Sequence, residues 1–263
     1  MGKSRNSLIM VPIQLNPYKK IYFSSDNHLG SPNKAISLER EKNFIIWLDQ
    51  IKSDAQAIFF LGDLFDFWFE YKKVIPKGFT RLFGKLAELS DSGIEMFFFV
   101  GNHDCWIGNY FQDELGFKVF KKSTDFKFDN YNLFIGHGDG LGPGDRKYKF
   151  LKVLFRSYIL KKFFSFIHPD IGLSIGSFLS KKNKILSGNN IKFKSVDNEI
   201  LFKYCRDILK TKHYHFFIFG HRHLPLELDL GNNSKYFNTG DWITHFSYLV
   251  YDGTSFSLNY FNK

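Results

Sequence analysis

Short apolar runs of strand length recur along the chain, and amphipathic stretches separate the first of them. The early runs that predict strands are Lys20–Ser25, Ala57–Leu61, Met96–Val100 and Leu133–Ile135. Apolar positions three and four apart predict helices over Leu38–Ile51 and Gly78–Leu89. Positions 97–100 are all apolar, as in a strand that is covered on both faces. This alternation predicts a layered α/β fold.

The last third of the chain has strand patterns with no helical pattern between them. The predicted strands are His215–Phe219, Tyr236–Asn238, Phe246–Tyr251 and Phe256–Phe261. Asp252-Gly253 is a candidate hairpin turn between the last two. We therefore predict one domain over residues 1–263, built as a sandwich of two mixed β-sheets flanked by helices.

The stretch from about 141 to 194 interrupts this order, because it is long, basic and aromatic and has no strand pattern. A helical apolar stripe runs through Phe150, Leu151, Leu154, Phe155, Tyr158, Ile159 and Lys162. Ile171–Leu179 is a second candidate helix. We interpret residues 141–194 as a helical insertion, which we call the cap.

The cap also carries the excess of positive charge in the chain, whose formal net charge is +10. From Arg146 to Lys194 there are twelve Lys and Arg residues and one acidic residue, Asp170. Such a surface favours phosphate esters, nucleic acid or acidic lipid head groups as partners. Drift toward a lysine-rich composition is the alternative explanation, although drift alone would not concentrate the charge in one segment.

Cysteine content and hydropathy indicate the cellular compartment of the protein. Cys105 and Cys205 are too few for a disulfide framework, and uncharged runs stay far shorter than the roughly 18 residues of a membrane span. We therefore expect a cytoplasmic protein, which is compatible with peripheral attachment to a membrane.

Five polar motifs follow apolar runs. They are Asp26-Asn27-His28, Gly62-Asp63, Gly101-Asn102-His103-Asp104, Gly136-His137-Gly138-Asp139 and Gly220-His221-Arg222-His223. Each motif alone is a weak signal, because Gly-Asp is a common turn and a histidine after a strand is usually structural. The five together are specific, since residues beyond strand ends gather along one rim of a sheet.

Aspartate, histidine and asparagine are ligands for hard to borderline metal ions. The candidate ligands are Asp26, His28, Asp63, Asn102, His137, His221 and His223. Residues two apart at a strand end can point the same way, and a carboxylate such as Asp63 can bridge two cations. Two divalent ions side by side polarise a phosphoryl group and hold an attacking water. His103 is a candidate to protonate the leaving oxygen or to hold a phosphate oxygen, with Asp104 fixing its tautomer.

Over residues 20–245 or so, these motifs resemble the calcineurin-like metallophosphoesterases. The resemblance implies that Asp26, His28, Asp63 and His223 hold one metal. It implies that Asp63, Asn102, His137 and His221 hold the other. It also implies manganese as the occupant, with zinc or iron as alternatives.

Within that superfamily the chain is most similar to the UDP-2,3-diacylglucosamine hydrolases of lipid A synthesis. The similar pieces are residues 25–29, 61–68, 101–104, 137–139 and 220–225. The similarity implies cleavage at the α phosphorus, releasing UMP and 2,3-diacylglucosamine 1-phosphate at the cytoplasmic face of the inner membrane. Asn102, His103 and Asp145 are then candidates to contact the substrate. His103 departs from the best-known branch, which has arginine at that position.

Alternatives stay open at this point. A phosphodiesterase or phosphatase acting on a soluble nucleotide, a phosphoprotein or nucleic acid would use the same basic surface, although nucleic acid is the less favoured partner. A catalytically silent scaffold on acidic membrane is a third class. The cap itself suits either the acyl chains and diphosphate of a nucleotide-linked lipid, or ordinary amphipathic helices packed on the domain.

Overall fold

The computed structural model describes residues 10–144, 146–187, 193 and 195–262. The strands in the described residues are β1 (Val11–Ile13), β2 (Lys20–Ser24), β3 (Ala55–Phe60), β4 (Glu95–Phe99), β5 (Lys118–Phe120), β6 (Thr124–Phe128), β7 (Tyr131–Ile135), β8 (Phe216–Phe219), β9 (Pro225–Gly231), β10 (Ser234–Thr239), β11 (Ser247–Tyr251) and β12 (Phe256–Tyr260). The helices are α1 (Lys34–Ile51), α2 (Thr80–Asp91), α3 (Tyr110–Asp113), α4 (Arg146–Phe155), α5 (Tyr158–Phe164), α6 (Pro169–Ser187) and α7 (Ile200–Leu209), with a 3₁₀ turn at Val196–Asn198.

The strands form two six-stranded sheets, and both sheets mix parallel and antiparallel pairs. The first sheet has the order β12-β11-β2-β3-β4-β5, with β2 to β5 parallel. The second has the order β1-β6-β7-β8-β10-β9, with β7, β8 and β10 parallel. The predicted sandwich of two mixed sheets is therefore confirmed.

Phenylalanines fill the space between the two sheets. Phe23, Phe59 and Phe97 are register partners on three adjacent strands. Their rings stack with centroids 4.8 Å and 4.3 Å apart. Because alternate residues of a strand point to opposite faces, their neighbours such as Phe60 face the other way and pack with Trp47 of α1. The central strands are thus buried on both faces, as their continuous apolar sequence predicts.

Helices α1, α2 and α7 cover the outer faces of the two sheets. Helices α1 and α2 pack on the first sheet, and α7 packs on the second through Phe202 and Cys205. The parallel strands run in one direction within each sheet, so their carboxyl ends share a rim. This rim is where the five motifs lie.

The predicted strands are present with bounds that shift by at most two residues, whereas β1, β5, β6 and β9 were not predicted. Strands β1 and β5 are only three residues long, which is too short for a periodic signal. Strand β9 alternates between half-buried and exposed positions and starts at a proline, which disguises it as a loop. These strands join their sheets through tertiary pairing rather than through local sequence preference.

The described part of the predicted cap is helical, but its first apolar stripe is divided between two helices rather than one. Helix α4 ends at Phe155, and Ser157 begins α5 by accepting a hydrogen bond from the Leu160 N–H at 3.2 Å. The side-chain cap explains the break, since serine competes for backbone N–H groups at helix starts. Helix α6 is longer than the predicted Ile171–Leu179.

None of the described helices combines the length and the apolar character needed to cross a membrane.

Candidate metal centre

The five motifs meet at the shared rim because the loops that follow the strands hydrogen-bond to one another. The N–H of Asp26 donates to the carbonyl of Gly62 at 3.1 Å, and the N–H of His28 donates to the carbonyl of Asp63 at 2.9 Å. In the second sheet, the N–H of Gly220 donates to the carbonyl of His137 at 3.0 Å. These bonds extend the sheet pairing by one or two residues and bring the polar side chains together.

An unusual backbone conformation turns those side chains inward. Asp26, His28, Asp63, His221 and His223 all have φ between 44° and 68°. Non-glycine residues rarely adopt this left-handed region, which costs about 1–2 kcal/mol each. Strain of this kind persists only where the surrounding structure enforces it, and it concentrates at functional sites. No pattern in the sequence predicts it.

Close packing of the loops also explains why position 62 in the second motif is a glycine. A Cβ atom at Gly62, whose φ is +93°, would lie 2.7 Å from Nδ1 of His137 and 2.8 Å from the Cα of Gly101. Only glycine permits this approach, and it lets the β3, β4 and β7 loops share one small volume.

The first cluster of candidate ligands contains Asp26, His28 and His223. Nε2 of His28 lies 3.2 Å from Nε2 of His223, and Oδ1 of Asp26 lies 3.3 Å from the latter. Oδ1 of Asp26 is buried without a hydrogen-bond partner among the described residues. A buried carboxylate oxygen that faces two imidazole nitrogens at these spacings fits a divalent cation between them.

The second cluster contains Asp63, His137 and His221. Nε2 of His137 lies 3.4 Å from Oδ2 of Asp63 and 3.1 Å from Oδ1 of Asn102. The rings of His137 and His221 are 5.1 Å apart. The donor set of one carboxylate, one amide oxygen and two imidazoles suits manganese, iron or zinc.

Asp63 connects the two clusters. Its Oδ2 atom lies 3.7 Å from Nε2 of His28 and 3.4 Å from Nε2 of His137. Its Oδ1 atom accepts the backbone N–H of His103 at 2.8 Å. One oxygen is therefore placed between the clusters, which is the arrangement a bridging carboxylate requires.

Polar neighbours on the Nδ1 side of the imidazoles orient the rings. Nδ1 of His28 lies 3.3 Å from Asp66, Nδ1 of His223 lies 3.3 Å from Asp241, and Nδ1 of His137 lies 2.6 Å from the carbonyl of Leu61. With Nδ1 engaged in each case, Nε2 is the nitrogen that faces the cluster. Neither Asp66 nor Asp241 was assigned a role at the site from the sequence. Asp241 follows Gly240 at the end of β10, so the same strand-end pattern contained the signal.

Charge in the site is balanced between buried acids and imidazoles. Burial raises the pKa of Asp63 and Asp26, but the surrounding imidazoles, chiefly His137 and His223 respectively, together outweigh it and hold each pKa below its ordinary value. Burial lowers the pKa of His137, but Asp63 outweighs it and raises the pKa to about 10. Burial and the neighbouring His137 lower the pKa of His221 to about 4. The carboxylates therefore stay ionised, and a metal ion binding at His137 would replace a proton.

Asp104 and His103 lie at the site but do not contact each other in the predicted way. The Asp104 carboxylate accepts the backbone N–H groups of Gly101 at 2.7 Å and Leu64 at 3.0 Å, so it fixes the loops after β3 and β4. Burial, followed by the charge of Asp63, raises the pKa of Asp104 to about 7. Nδ1 of His103 instead lies 2.8 Å from the carbonyl of Asp66. The tautomer of His103 is thus set by Asp66, which corrects the role expected for Asp104.

A cavity of about 150 Å³ opens beside His103, between the metal centre and the cap. Its lining includes Asn102 and His103 at one end. The apolar part of its wall is Phe67, Trp106, Leu151, Phe155, Phe164 and Leu179. Ser180 of α6 donates a hydrogen bond to Asp66 at 2.8 Å and thereby joins the cap to the metal centre. Asp145, the remaining predicted substrate contact, lies outside the described residues.

Comparison with known proteins gives consistent results. The family model for calcineurin-like phosphoesterases matches residues 19–225. A UDP-2,3-diacylglucosamine hydrolase from Porphyromonas gingivalis is 38% identical over 253 residues, which cover 91% of this chain and 96% of that protein. A hydrolase of the same name from Hamiltonella defensa is 28% identical over 204 residues, covering 77% of this chain and 76% of the relative.

Among solved structures, Yfce, a phosphoesterase from E. coli, covers 92% of this chain and 93% of its own, with a TM-score of 0.46 and 18% identity. The family match alone extends over most of the chain and includes the five motifs. This chain therefore belongs to the calcineurin-like phosphoesterase family and is a metal-dependent hydrolase of phosphoester or pyrophosphate bonds.

Proposed function

We propose that the protein hydrolyses the pyrophosphate of UDP-2,3-diacylglucosamine to UMP and 2,3-diacylglucosamine 1-phosphate. The observation that carries this proposal is the mainly apolar cavity that begins at Asn102 and His103. An acyl chain of the lipid would fill this apolar cavity beside the phosphate, and a soluble nucleotide or a nucleic acid has no acyl chain. The names of the relatives point to the same nucleotide-linked lipid.

The candidate ligands would hold two divalent ions that share Asp63, one on Asp26, His28 and His223 and one on Asn102, His137 and His221. When bound, such ions polarise the phosphoryl group and lower the pKa of water. The chain positions the substrate around them: Asn102 and His103 lie where the cavity meets the centre. Manganese is the proposed occupant.

His103 is the proposed phosphate contact or acid. Its Nδ1 atom is held by the Asp66 carbonyl, and its ring lies edge-on to His28 with centroids 4.6 Å apart. Its Nε2 atom is thus the nitrogen left for a phosphate oxygen. Burial lowers the pKa of His103, and a bound phosphate would oppose that shift by favouring the protonated ring.

The cap is the proposed contact with the membrane surface at which the lipid is presented. The cap exposes large apolar side chains over half or more of their area: Phe150, Val153, Tyr158, Ile159, Phe163, Phe166, Ile171 and Phe178. We call this set the apolar cap face. Lysines and arginines of α4 and α5 border it. An anionic membrane leaflet would therefore complement both the apolar side chains and the positive charges. On this proposal the protein is peripheral on the cytoplasmic face of the inner membrane.

Phosphorus NMR in ¹⁸O-labelled water tests the proposed reaction. Manganese-loaded protein with UDP-2,3-diacylglucosamine should convert the two pyrophosphate signals into UMP and the lipid 1-phosphate, with ¹⁸O in UMP because attack is at the α phosphorus. Asp63→Ala should abolish turnover, since it removes the shared ligand of both clusters. Asp91→Ala, an exposed residue at the end of α2, is the matched control and should retain wild-type turnover.

A soluble UDP-sugar tests the substrate class. We expect its kcat/KM to lie at least about 100-fold below that of the lipid substrate, because a soluble UDP-sugar has no acyl chains to contact the apolar cavity. Equal turnover of the two substrates would contradict the lipid assignment. Hydrolysis of bis(p-nitrophenyl) phosphate without cleavage of the lipid substrate would retain the phosphoesterase chemistry and reject the proposed substrate.

A further inference from the structure

A second cavity, of about 260 Å³, lies next to the metal centre. It reaches the centre at His137 and Asp139, which follow β7. Lys152 of α4 and Arg156, directly after the end of α4, line both this cavity and the apolar one. These two cations therefore form a wall between two chambers, and both chambers meet the centre. We call the second chamber the basic cavity.

The wall is fixed in place by hydrogen bonds. Nη2 of Arg156 donates to the carbonyl of Gly101 at 3.3 Å, directly before Asn102. Nζ of Lys152 donates to the carbonyl of Asp139 at 2.6 Å and forms an ion pair with its carboxylate at 2.7 Å. Each cation is thereby anchored to a loop that carries a candidate metal ligand. A diphosphate that spans the two chambers would pass beside this wall.

The lining of the basic cavity combines cations with aromatic surface. Lys121 and Lys122 are exposed, and neither forms an ion pair within the described chain, so their charges are available to an anion. Phe120, Phe134 and Tyr204 supply flat apolar surface in the same chamber. Positive charge next to aromatic rings is the chemistry that recognises a nucleotide, since a base stacks and a phosphate pairs with the cations.

We propose that the basic cavity is the nucleotide subsite, which holds the uridine monophosphate half of the substrate while the acyl half lies in the apolar cavity. This inference rests on the proposed function and adds the orientation in which the substrate binds. The α phosphate lies on the side of His137, Lys121 and Lys122. The lipid phosphate lies on the side of Asn102 and His103. Lys152 and Arg156 separate the two halves.

Isothermal titration of the manganese-loaded full chain tests this placement, with UMP, uridine, inorganic phosphate and 2,3-diacylglucosamine 1-phosphate as probes. In the Lys121→Glu/Lys122→Glu double variant, we expect the Kd of UMP to rise about tenfold or more and that of the lipid phosphate to stay within about twofold. Lys127→Glu, on an exposed position of β6, is the matched control and should bind UMP as wild type does. Tyr204→Leu should weaken UMP and uridine and leave inorganic phosphate unchanged, because it removes only ring surface.

Three results would overturn the nucleotide subsite. One is unchanged UMP affinity in the lysine double variant. The second is an equal loss for UMP and inorganic phosphate in both variants, which would make the cavity a general attractor of anions. The third is a larger loss for the lipid phosphate than for UMP. Melting temperatures should match wild type in all variants, which excludes misfolding as the cause.

The two proposals fail separately. Wild-type protein that cleaves the lipid substrate but binds UMP independently of Lys121 and Lys122 would reject the subsite and keep the function. Protein that does not cleave the lipid substrate, yet loses UMP affinity in the double variant, would reject the function and keep a nucleotide site.

Discussion

At the scale of single residues, the site depends on carboxylates that hold imidazoles. Asp241 is buried, and its Oδ1 atom accepts the N–H groups of Ile243, Thr244 and His245, while its Oδ2 atom faces Nδ1 of His223. Hydrogen bonds to His223 and His245 and to backbone N–H groups outweigh burial and hold the pKa of Asp241 below its ordinary value. An ionised partner at Nδ1 fixes the ring and increases the basicity of Nε2.

Asp241→Asn therefore tests the support of His223. Asparagine keeps an oxygen for the three backbone N–H groups but removes the charge behind the imidazole. We expect the affinity for manganese to fall by about 10–100-fold, with kcat at saturating manganese within about threefold of wild type. Manganese titrations followed by calorimetry and by turnover measure both quantities. Asp229→Asn, exposed on β9, is the control, and unchanged manganese affinity in Asp241→Asn would contradict the assigned role.

At the scale of elements, strands and cap differ in how they use apolar residues. The central strands bury theirs on both faces, whereas α4, α5 and α6 expose many of theirs. Phe164 and Phe155 turn inward, where both rings approach Trp106. Phe163 and Phe166 point outward with 68% and 76% of their surface exposed. Phe163 and Phe164, which are neighbours in α5, thus serve the outer surface and the cavity respectively.

The apolar cap face can be tested with vesicles. Phe163→Asp/Phe166→Asp should weaken binding to phosphatidylglycerol vesicles about tenfold or more, because two aromatic side chains lose their burial in lipid. Hydrolysis of bis(p-nitrophenyl) phosphate should not change, since neither side chain lines the described cavities. Tyr18→Asp is the matched control, because Tyr18 is 98% exposed on the β1–β2 turn. Equal binding by the variant and the wild type in a flotation assay would reject this surface.

The sequence predicted the elements whose signals are local, and it missed those that depend on tertiary contacts. The strand-end motifs were visible because Asp63 and His137 each follow a continuous apolar run. The left-handed backbone of Asp26, His28, Asp63, His221 and His223 and the support from Asp66 arise when distant loops meet, so no local pattern reports them. The same holds for the two cavities, whose walls combine residues from several elements.

At the scale of the whole molecule, the metal centre joins the two sheets. Loops of the first sheet supply Asp26, Asp63 and Asn102, and loops of the second supply His137 and His221. Bound cations would therefore link the two halves of the sandwich at one rim.

Metal removal should consequently lower the melting temperature. At manganese about 100-fold above its Kd, the bound state gains about 2.7 kcal/mol, so EDTA should reduce the Tm by about 5–10 °C. Differential scanning calorimetry with and without EDTA measures this shift. Asp63→Ala is the control and should show little response to EDTA, because it lacks the shared ligand. Equal melting temperatures of the wild type in both buffers would show that the cations do not stabilise the fold.

The left-handed backbone of the candidate ligands has a consequence for protein engineering. Glycine adopts that conformation without strain, so His28→Gly or His223→Gly would relieve about 1 kcal/mol of backbone strain while removing a ligand. In a screen for heat resistance that supplies no metal, such replacements would be enriched. Directed evolution of this chain toward a higher melting temperature would then replace candidate metal ligands and lose catalytic activity early, unless each round also selected for turnover.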